Sequence, residues 1–295
     1  TLLGYAAARV PEISDQYYPL DDAMRTGYVW DFGPFEYWDL IGLERGMELI
    51  KAQEGQIPQW ILDLQAAGGT SFYKFENGQK KYFNIQSKTY EPLPGTESFI
   101  ILDSYREQAP VLKNSECTVH DIGDGVLCLE FTSKSNSIGE GIGKGLHEAI
   151  ELAEEGDWKG LVIGNNAKQF SVGANLMNIG MFAMQKQFDV LERFVDDFQK
   201  INMKIRTSKI PVVVSTQGYV FGGGCEISMH CDAGIYAAES YIGLVEVGVG
   251  LLPGGGGTKE FALRASDDFF EGDVQNPTLI NYFKSIATAA VSTSA

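Results

Sequence analysis

The stretch Ile210-Pro211-Val212-Val213-Val214-Ser215-Thr216-Gln217-Gly218-Tyr219-Val220-Phe221-Gly222-Gly223-Gly224-Cys225-Glu226 constrains this chain more than any other. Its valine run after a proline, Pro211–Ser215, reads as a short buried strand. Three glycines follow, and Glu226–Cys231 reads as a short helix. Glycines at such a junction let the backbone approach a ligand closely. The helix start adds unpaired N–H groups and a favourable dipole. A turn of this kind can hold a phosphate or stabilise an oxyanion; standing alone, it is equally a structural tight turn.

A second turn gives it a partner. The strand Leu161–Ile163 leads into Gln169-Phe170-Ser171-Val172-Gly173-Ala174-Asn175-Leu176, again a glycine-bearing turn into a helix. Two N–H donors converging on one carbonyl oxygen would form an oxyanion hole. The surrounding text alternates strand and helix. Cys117–Ile122, a turn at Asp124-Gly125, Val126–Phe131 and Gly160–Gly164 read as strand text. Ile142–Glu154, with Leu146, Ala149, Ile150 and Leu152 on one stripe, and Leu191–Ile205 read as helices. Alternation of this kind predicts an α/β domain.

Upstream the text differs. Residues 1–65 are helical, with one helix opening at Asp21-Asp22-Ala23-Met24-Arg25 and another over Trp38–Lys51. Between them Gly33-Pro34 punctuates an aromatic cluster, Trp30 to Trp38, that needs a partner surface. Ser71–Phe75 and Lys81–Asn84 flank Asn77-Gly78, a strong β-hairpin signal. Tyr90–Glu116, with Pro92, Pro94, Gly95 and Pro110, reads as a connector. The expected domains are therefore 1–112, mainly α-helical with a hairpin, and 113–295, α/β.

Thirty-nine acidic against 23 basic residues leave a net charge of −16. That disfavours non-specific nucleic-acid and anionic-membrane partners, which want basic surface. No run approaches the ~18 apolar residues of a membrane span. Cys117, Cys128, Cys225 and Cys231 form no CxxC pair and no zinc-ligand spacing, so a reducing, cytoplasmic setting is expected and no metal. Gly139–Gly145 fails both the Walker and the GxGxxG spacing. His120, His147 and His230 are too scattered for a metal site and read as structural. The Thr1 start and the end at Ala295 suggest a piece of something longer.

With these motifs in order, residues from about Cys117 to Arg264 resemble the crotonase (enoyl-CoA hydratase/isomerase) superfamily. The resemblance rests on Asn136 in Ser133–Ser137, the Phe170–Leu176 loop, Gly222–Glu226, Asp232, and Gly243-Leu244-Val245-Glu246-Val247-Gly248-Val249-Gly250-Leu251-Leu252-Pro253-Gly254-Gly255-Gly256-Gly257-Thr258. It implies a crotonase-like ββα superhelix and a CoA thioester substrate. It assigns the oxyanion-hole N–H groups to Ala174 and Gly223, and the acid–base pair to Glu226, activating water, and Glu246, protonating C2. Lys134, Asn136, Lys168, Gly222 and Pro253 are expected around the CoA and acyl groups, with Met177, Phe182 and Met184 setting pocket depth. A family isomerase needs only one such acid, so the pair favours hydratase over Δ3,Δ2-enoyl-CoA isomerase. A non-catalytic docking fragment is the reading from outside the enzymes.

Asp21–Gly27 and Gly33–Asp39 resemble the helical C-terminal domain of 3-hydroxyacyl-CoA dehydrogenases. Together the two resemblances imply the C-terminal part of a bifunctional β-oxidation enzyme. NAD would serve only a dehydrogenase domain outside this chain, and the remainder of that dehydrogenase would be a partner. The hydratase domain is expected to be cut short at its C-terminus, with Ser266–Thr278 an unplaced insertion. A homo-oligomer is allowed, and no further cofactor is implied.

Overall fold

The computed structural model describes residues 1–76, 78–106 and 108–292. The chain divides into two units, Thr1–Glu107 and Gln108–Ala295.

In the first unit, helices α1 (Leu2–Ile13), α2 (Tyr18–Tyr28), α3 (Pro34–Ile41), α4 (Leu43–Lys51) and α5 (Gln59–Ala66) precede strands β1 (Tyr73–Glu76), β2 (Gln79–Asn84) and β3 (Thr89–Pro92). The aromatic cluster finds its partner surface here. Tyr17 stacks on Trp60 at 5.6 Å, and Phe72 takes Phe35 and Trp38 edge-on at 5.2 and 5.1 Å. The expected single helix Trp38–Lys51 is two helices, because Gly42 sits at φ +96° between them. The indole N–H of Trp38 donates to Leu43 O across that break, and the missing side chain of Gly46 admits the ring.

The connector expected from Tyr90 begins later than its composition suggested. Asn84 accepts the N–H groups of Gln86 and Ser87, turning the chain so that β3 pairs antiparallel with β2. The hairpin β1–β2 is present with Glu76 opposite Gln79, and Asn77 of its turn lies outside the described residues.

The second unit carries β4 (Leu112–Lys113), β5 (Cys117–Asp121), β6 (Val126–Phe131), α6 (Glu140–Glu155), β7 (Gly160–Gly164), α7 (Leu176–Met184), α8 (Phe188–Arg206), β8 (Val212–Thr216), β9 (Tyr219–Phe221), α9 (Gly223–His230), β10 (Ala233–Tyr236), β11 (Tyr241–Gly243), α10 (Gly257–Asp267) and α11 (Asn276–Ala287). A mixed sheet runs in the order β10-β8-β7-β6-β5-β4. It is parallel from β10 to β6 and antiparallel from β6 to β4. Strands β9 and β11 form a separate parallel pair.

Leu127, Leu129, Leu161, Ile163, Val212 and Val214 meet Ile142, Leu146, Ala149 and Ile150 of α6 and Ile201 and Ile205 of α8 in one buried core. Near-continuous apolar strands covered by helices are what a parallel sheet demands. The short helix expected from Glu226 begins three residues earlier, at Gly223, and every residue of α9 is buried. Its first glycines fit because nothing larger does: a Cβ on Gly224 would lie 2.8 Å from that of Ser171.

Among the described residues, no helix is long and apolar enough to cross a membrane.

Candidate active site

The two glycine-bearing turns meet. Ser171 N–H donates to Tyr219 O at 2.9 Å and Phe221 N–H to Ser171 O at 3.1 Å, stitching the loop after β7 to β9. Gly173, at φ +88°, lies so close to the second turn that a Cβ there would sit 2.9 Å from Phe221 O and 3.5 Å from Gly223 N. Ala174 bridges Ile138, but the bridge uses the N–H groups of Ile138 and Asn175 and leaves that of Ala174 out of the pairing. Gly223 opens α9, so its N–H has no acceptor within the helix. The two N–H groups expected to form an oxyanion hole are thus on converging turns.

Asn136 has a different place from the one expected of a substrate contact. It is buried, its side-chain amide donates to Gln169 O at 3.0 Å, and its carbonyl accepts the Ser171 hydroxyl at 2.7 Å. It ties the first turn down from behind.

Glu226 and Glu246 both face one cavity of about 380 Å³. Ala174, Gly222 and Gly223 line it too, as do Leu191, Phe194, Val195 and Phe198 of α8 and Val249, Leu251 and Leu252 beyond Glu246. Glu226 projects from the first turn of α9, and its Oε1 accepts the Gly257 N–H at 2.8 Å. Burial pushes its carboxyl up to about 7. The amides of Gly257, Gly255 and Gly256 pull the other way, and the nearby charge of Glu246 adds to the rise.

Glu246 starts a short 3-10 turn, Glu246–Val249. Gly222, at φ +52°, leaves room for it: a Cβ there would lie 3.0 Å from Glu246 Oε1. Its other oxygen, Oε2, is buried with no hydrogen-bond partner among the described residues. Burial raises this carboxyl as well. A buried, unpartnered carboxylate oxygen facing a cavity is costly for folding, and such atoms concentrate where a ligand completes them.

His230, read from sequence as structural, is buried one turn beyond Glu226 on α9. Its Nδ1 lies 2.6 Å from the Glu226 backbone carbonyl, so Nδ1–H donates and Nε2 is left to accept from Lys259 Nζ at 3.1 Å.

Of the expected site residues, Glu226, Glu246, Ala174, Gly222 and Gly223 come together. Lys134 and Lys168 are exposed, and Asn136 and Pro253 are buried; none of these four lines the cavity. Met177 and Met184, expected to set pocket depth, are 83% and 87% exposed on α7, and Phe182 lines a neighbouring cavity. The apolar wall is instead Leu191, Phe194, Val195 and Phe198. Their i, i+3, i+4, i+7 spacing is visible in the sequence, though nothing there says the stripe faces the site. Among the described residues, no group of three or more His, Cys, Asp or Glu side chains could hold a metal ion.

Residues 121–271 match the enoyl-CoA hydratase/isomerase family, and the chain belongs to it. The whole chain is similar to a probable 3-hydroxyacyl-CoA dehydrogenase of Bacillus subtilis, at 39% identity over all of this chain and 37% of that protein. A putative fatty acid oxidation complex trifunctional enzyme of Rickettsia felis is 27% identical over 90% of this chain and 34% of its own length. The chain therefore spans little more than a third of these relatives, and the dehydrogenase match takes in the first unit as well as the second.

Among solved structures, an enoyl-CoA hydratase from Geobacillus kaustophilus matches with a TM-score of 0.52 at 24% identity, covering 62% of this chain and 64% of that one. One from Polaromonas sp. JS666 matches at 0.52 and 19%, covering 60% and 65%. These likenesses give the fold of the second unit the crotonase architecture.

Proposed function

We propose that this chain hydrates trans-2-enoyl-CoA to 3-hydroxyacyl-CoA in fatty-acid β-oxidation, as the hydratase part of a bifunctional enzyme whose dehydrogenase reaction uses NAD. The observation that carries the reading is the meeting of two carboxyl groups and two loop-borne N–H groups at one mainly apolar cavity.

The N–H groups of Ala174 and Gly223 receive the thioester oxygen as it gains enolate charge. Glu226, held on one oxygen by Gly257, accepts a proton from water as the water oxygen bonds to C3. A carboxyl near 7 is well matched to this task at neutral pH. Glu246 delivers a proton to C2 from Oε2, which has no hydrogen-bond partner among the described residues, and the proton that Glu226 took from water replaces it. Hydroxyl ends on C3 and hydrogen on C2, with no net electron transfer, so neither a redox cofactor nor a metal is required. Coenzyme A takes part only as the thioester portion of the substrate. The four free cysteines accord with a cytoplasmic setting.

The test follows the loss of the enoyl thioester's absorbance with crotonyl-CoA. Wild-type turnover that falls at least about 100-fold in Glu246→Gln is expected from loss of a general acid. A wild type that binds crotonyl-CoA without consuming it would overturn the hydratase reading.

A further inference from the structure

Helix α8 presents an apolar stripe, Leu191, Phe194, Val195, Phe198, Ile201 and Ile205, and one polar residue interrupts it. Asn202, one turn beyond Phe198, is fully buried. A buried amide in an apolar stripe is unfavourable unless its hydrogen bonds are specific. Its Nδ2 donates to Gly255 O at 2.8 Å, while its Oδ1 has no partner among the described residues. One turn earlier, Gln199 Nε2 donates to Gly254 O at 2.7 Å. Two side chains of one helix therefore hold two consecutive carbonyls of the Gly254–Gly257 turn.

That turn wraps the Glu226 carboxyl. A Cβ on Gly255 would lie 2.6 Å from Glu226 Oε2 and one on Gly257 3.2 Å from Oε1, and the Gly257 N–H bonds Oε1 directly. In successive peptides, fixing which way the carbonyls point fixes which way the N–H groups point. A run of N–H groups aimed at one spot makes an anion-binding concavity. We infer that Asn202, seconded by Gln199, is a positioning residue: it turns the glycine-rich loop so that its N–H groups face Glu226 and hold the carboxylate in its reactive orientation.

The inference concerns the same site as the hydratase reading, yet its test does not need turnover. The Glu226 carboxyl carbon is followed by 13C NMR against pH, identified as the signal missing in Glu226→Gln. The groups that face this carboxyl or stand behind it are Glu246 on the turn after β11, His230 on α9, Lys259 and Glu260 on α10, and Arg206 at the end of α8. All of these groups are retained in both variants, so a difference between variants points to the loop.

Removing the side-chain donors frees the turn and weakens N–H bonds that favour the charged form. The Glu226 midpoint is therefore expected to rise, by about one unit in Asn202→Leu and by less in Gln199→Ala. In an active enzyme the acid limb of kcat moves up with it while KM changes little. An unchanged midpoint in both variants, whatever their melting temperatures, overturns the inference and leaves Asn202 a packing residue. Gln199 is exposed, so Gln199→Ala keeps the test decisive should Asn202→Leu fail to fold.

Discussion

Asp21 in the first unit and Glu226 in the second are both almost wholly buried, and burial raises each carboxyl to about 7. By titration alone the two are twins. Their surroundings separate them. Asp21 Oδ1 accepts the Phe35 N–H at 2.9 Å and Oδ2 accepts the Tyr73 hydroxyl at 2.6 Å, so both oxygens are engaged by protein and fasten α2 to α3 and β1. Asp39 repeats the pattern, taking the N–H groups of Phe72 and Tyr73 at 2.7 and 2.8 Å. Glu226 opens instead onto a cavity shared with a second carboxyl, one oxygen of which is unsatisfied among the described residues. A perturbed pKa marks burial. An unfinished hydrogen-bond set beside an opening marks a site.

The largest effect should come from removing the charge that faces the cavity. Glu226→Gln keeps an oxygen for the Gly257 N–H and loses the base. Hydration of crotonyl-CoA is expected to drop about 10³-fold, within the span that general-base loss produces. Its urea midpoint should stay close to that of the wild type, because relief of the buried charge offsets the loop N–H groups that the amide nitrogen cannot accept. Comparable losses of activity and stability would erase the distinction drawn between the two carboxyls.

The reverse holds for Asp21. Asp21→Ala leaves the Phe35 N–H and the Tyr73 hydroxyl buried without acceptors, a loss on the order of 3 kcal/mol in the first unit. Chemical denaturation followed by tryptophan fluorescence reports it, because Trp38 and Trp60 lie in the first unit's core. Any hydratase activity should survive at temperatures where the variant remains folded. A stable Asp21→Ala protein without activity would mean that the first unit's carboxyl serves chemistry after all.

Much of this contrast was readable beforehand, and the unread part has a common physical cause. Strands β6 and β7 occupy the spans their apolar runs suggested, because a fully buried strand leaves a contiguous signature. Glu226 and Glu246 stood out through their motifs. The break at Gly42 leaves no mark in the sequence, because helical residues flank it on both sides and only the φ of one glycine decides it. The early start of α9 is hidden for the converse reason. Glycine is a poor helix former, yet Gly223 and Gly224 open the helix, where a Cβ on Gly224 would lie 2.8 Å from that of Ser171 and one on Gly223 3.1 Å from Ile138. Asn202 and Gln199 act on a turn more than fifty residues further along the chain, a relation no local pattern encodes. The one available hint was a polar residue on an apolar stripe.

The pH dependence of stability sharpens the comparison further. Asp21 titrates at about 7 in the folded protein against 3.8 for a free carboxyl, so the folded state binds the extra proton between these values. Stability should therefore fall as pH rises from about 4 to about 7, the sign expected when the native state holds more protons than the unfolded one. Asp21→Asn, neutral throughout, should flatten that slope in the first unit. Glu226→Gln should do the same in the second, between 4.5 and about 7. A slope unchanged in both variants would locate the titration elsewhere.

The smallest effect is the most discriminating, because it asks whether Glu246 is retained at the expense of stability. Its Oε2 is buried and unsatisfied among the described residues, and burial raises its carboxyl, so the ionised form is the less stable one inside the fold. Glu246→Gln removes the charge while keeping the shape. It should stabilise the second unit by about 1 kcal/mol at pH 8, in the range typical for relieving a strained functional group, and by less at pH 5, where the carboxyl is more nearly neutral. The pH ordering carries the argument. A gain in stability that grows with pH, alongside lost activity, is what a residue kept for chemistry gives. Burial raises Asp39 too, to about 6, but the corresponding Asp39→Asn change should lose stability outright, since both Asp39 oxygens hold backbone N–H groups and an amide nitrogen cannot replace one of them as acceptor. Were Glu246→Gln to destabilise as Asp39→Asn does, Glu246 would belong with the structural carboxyls of the first unit.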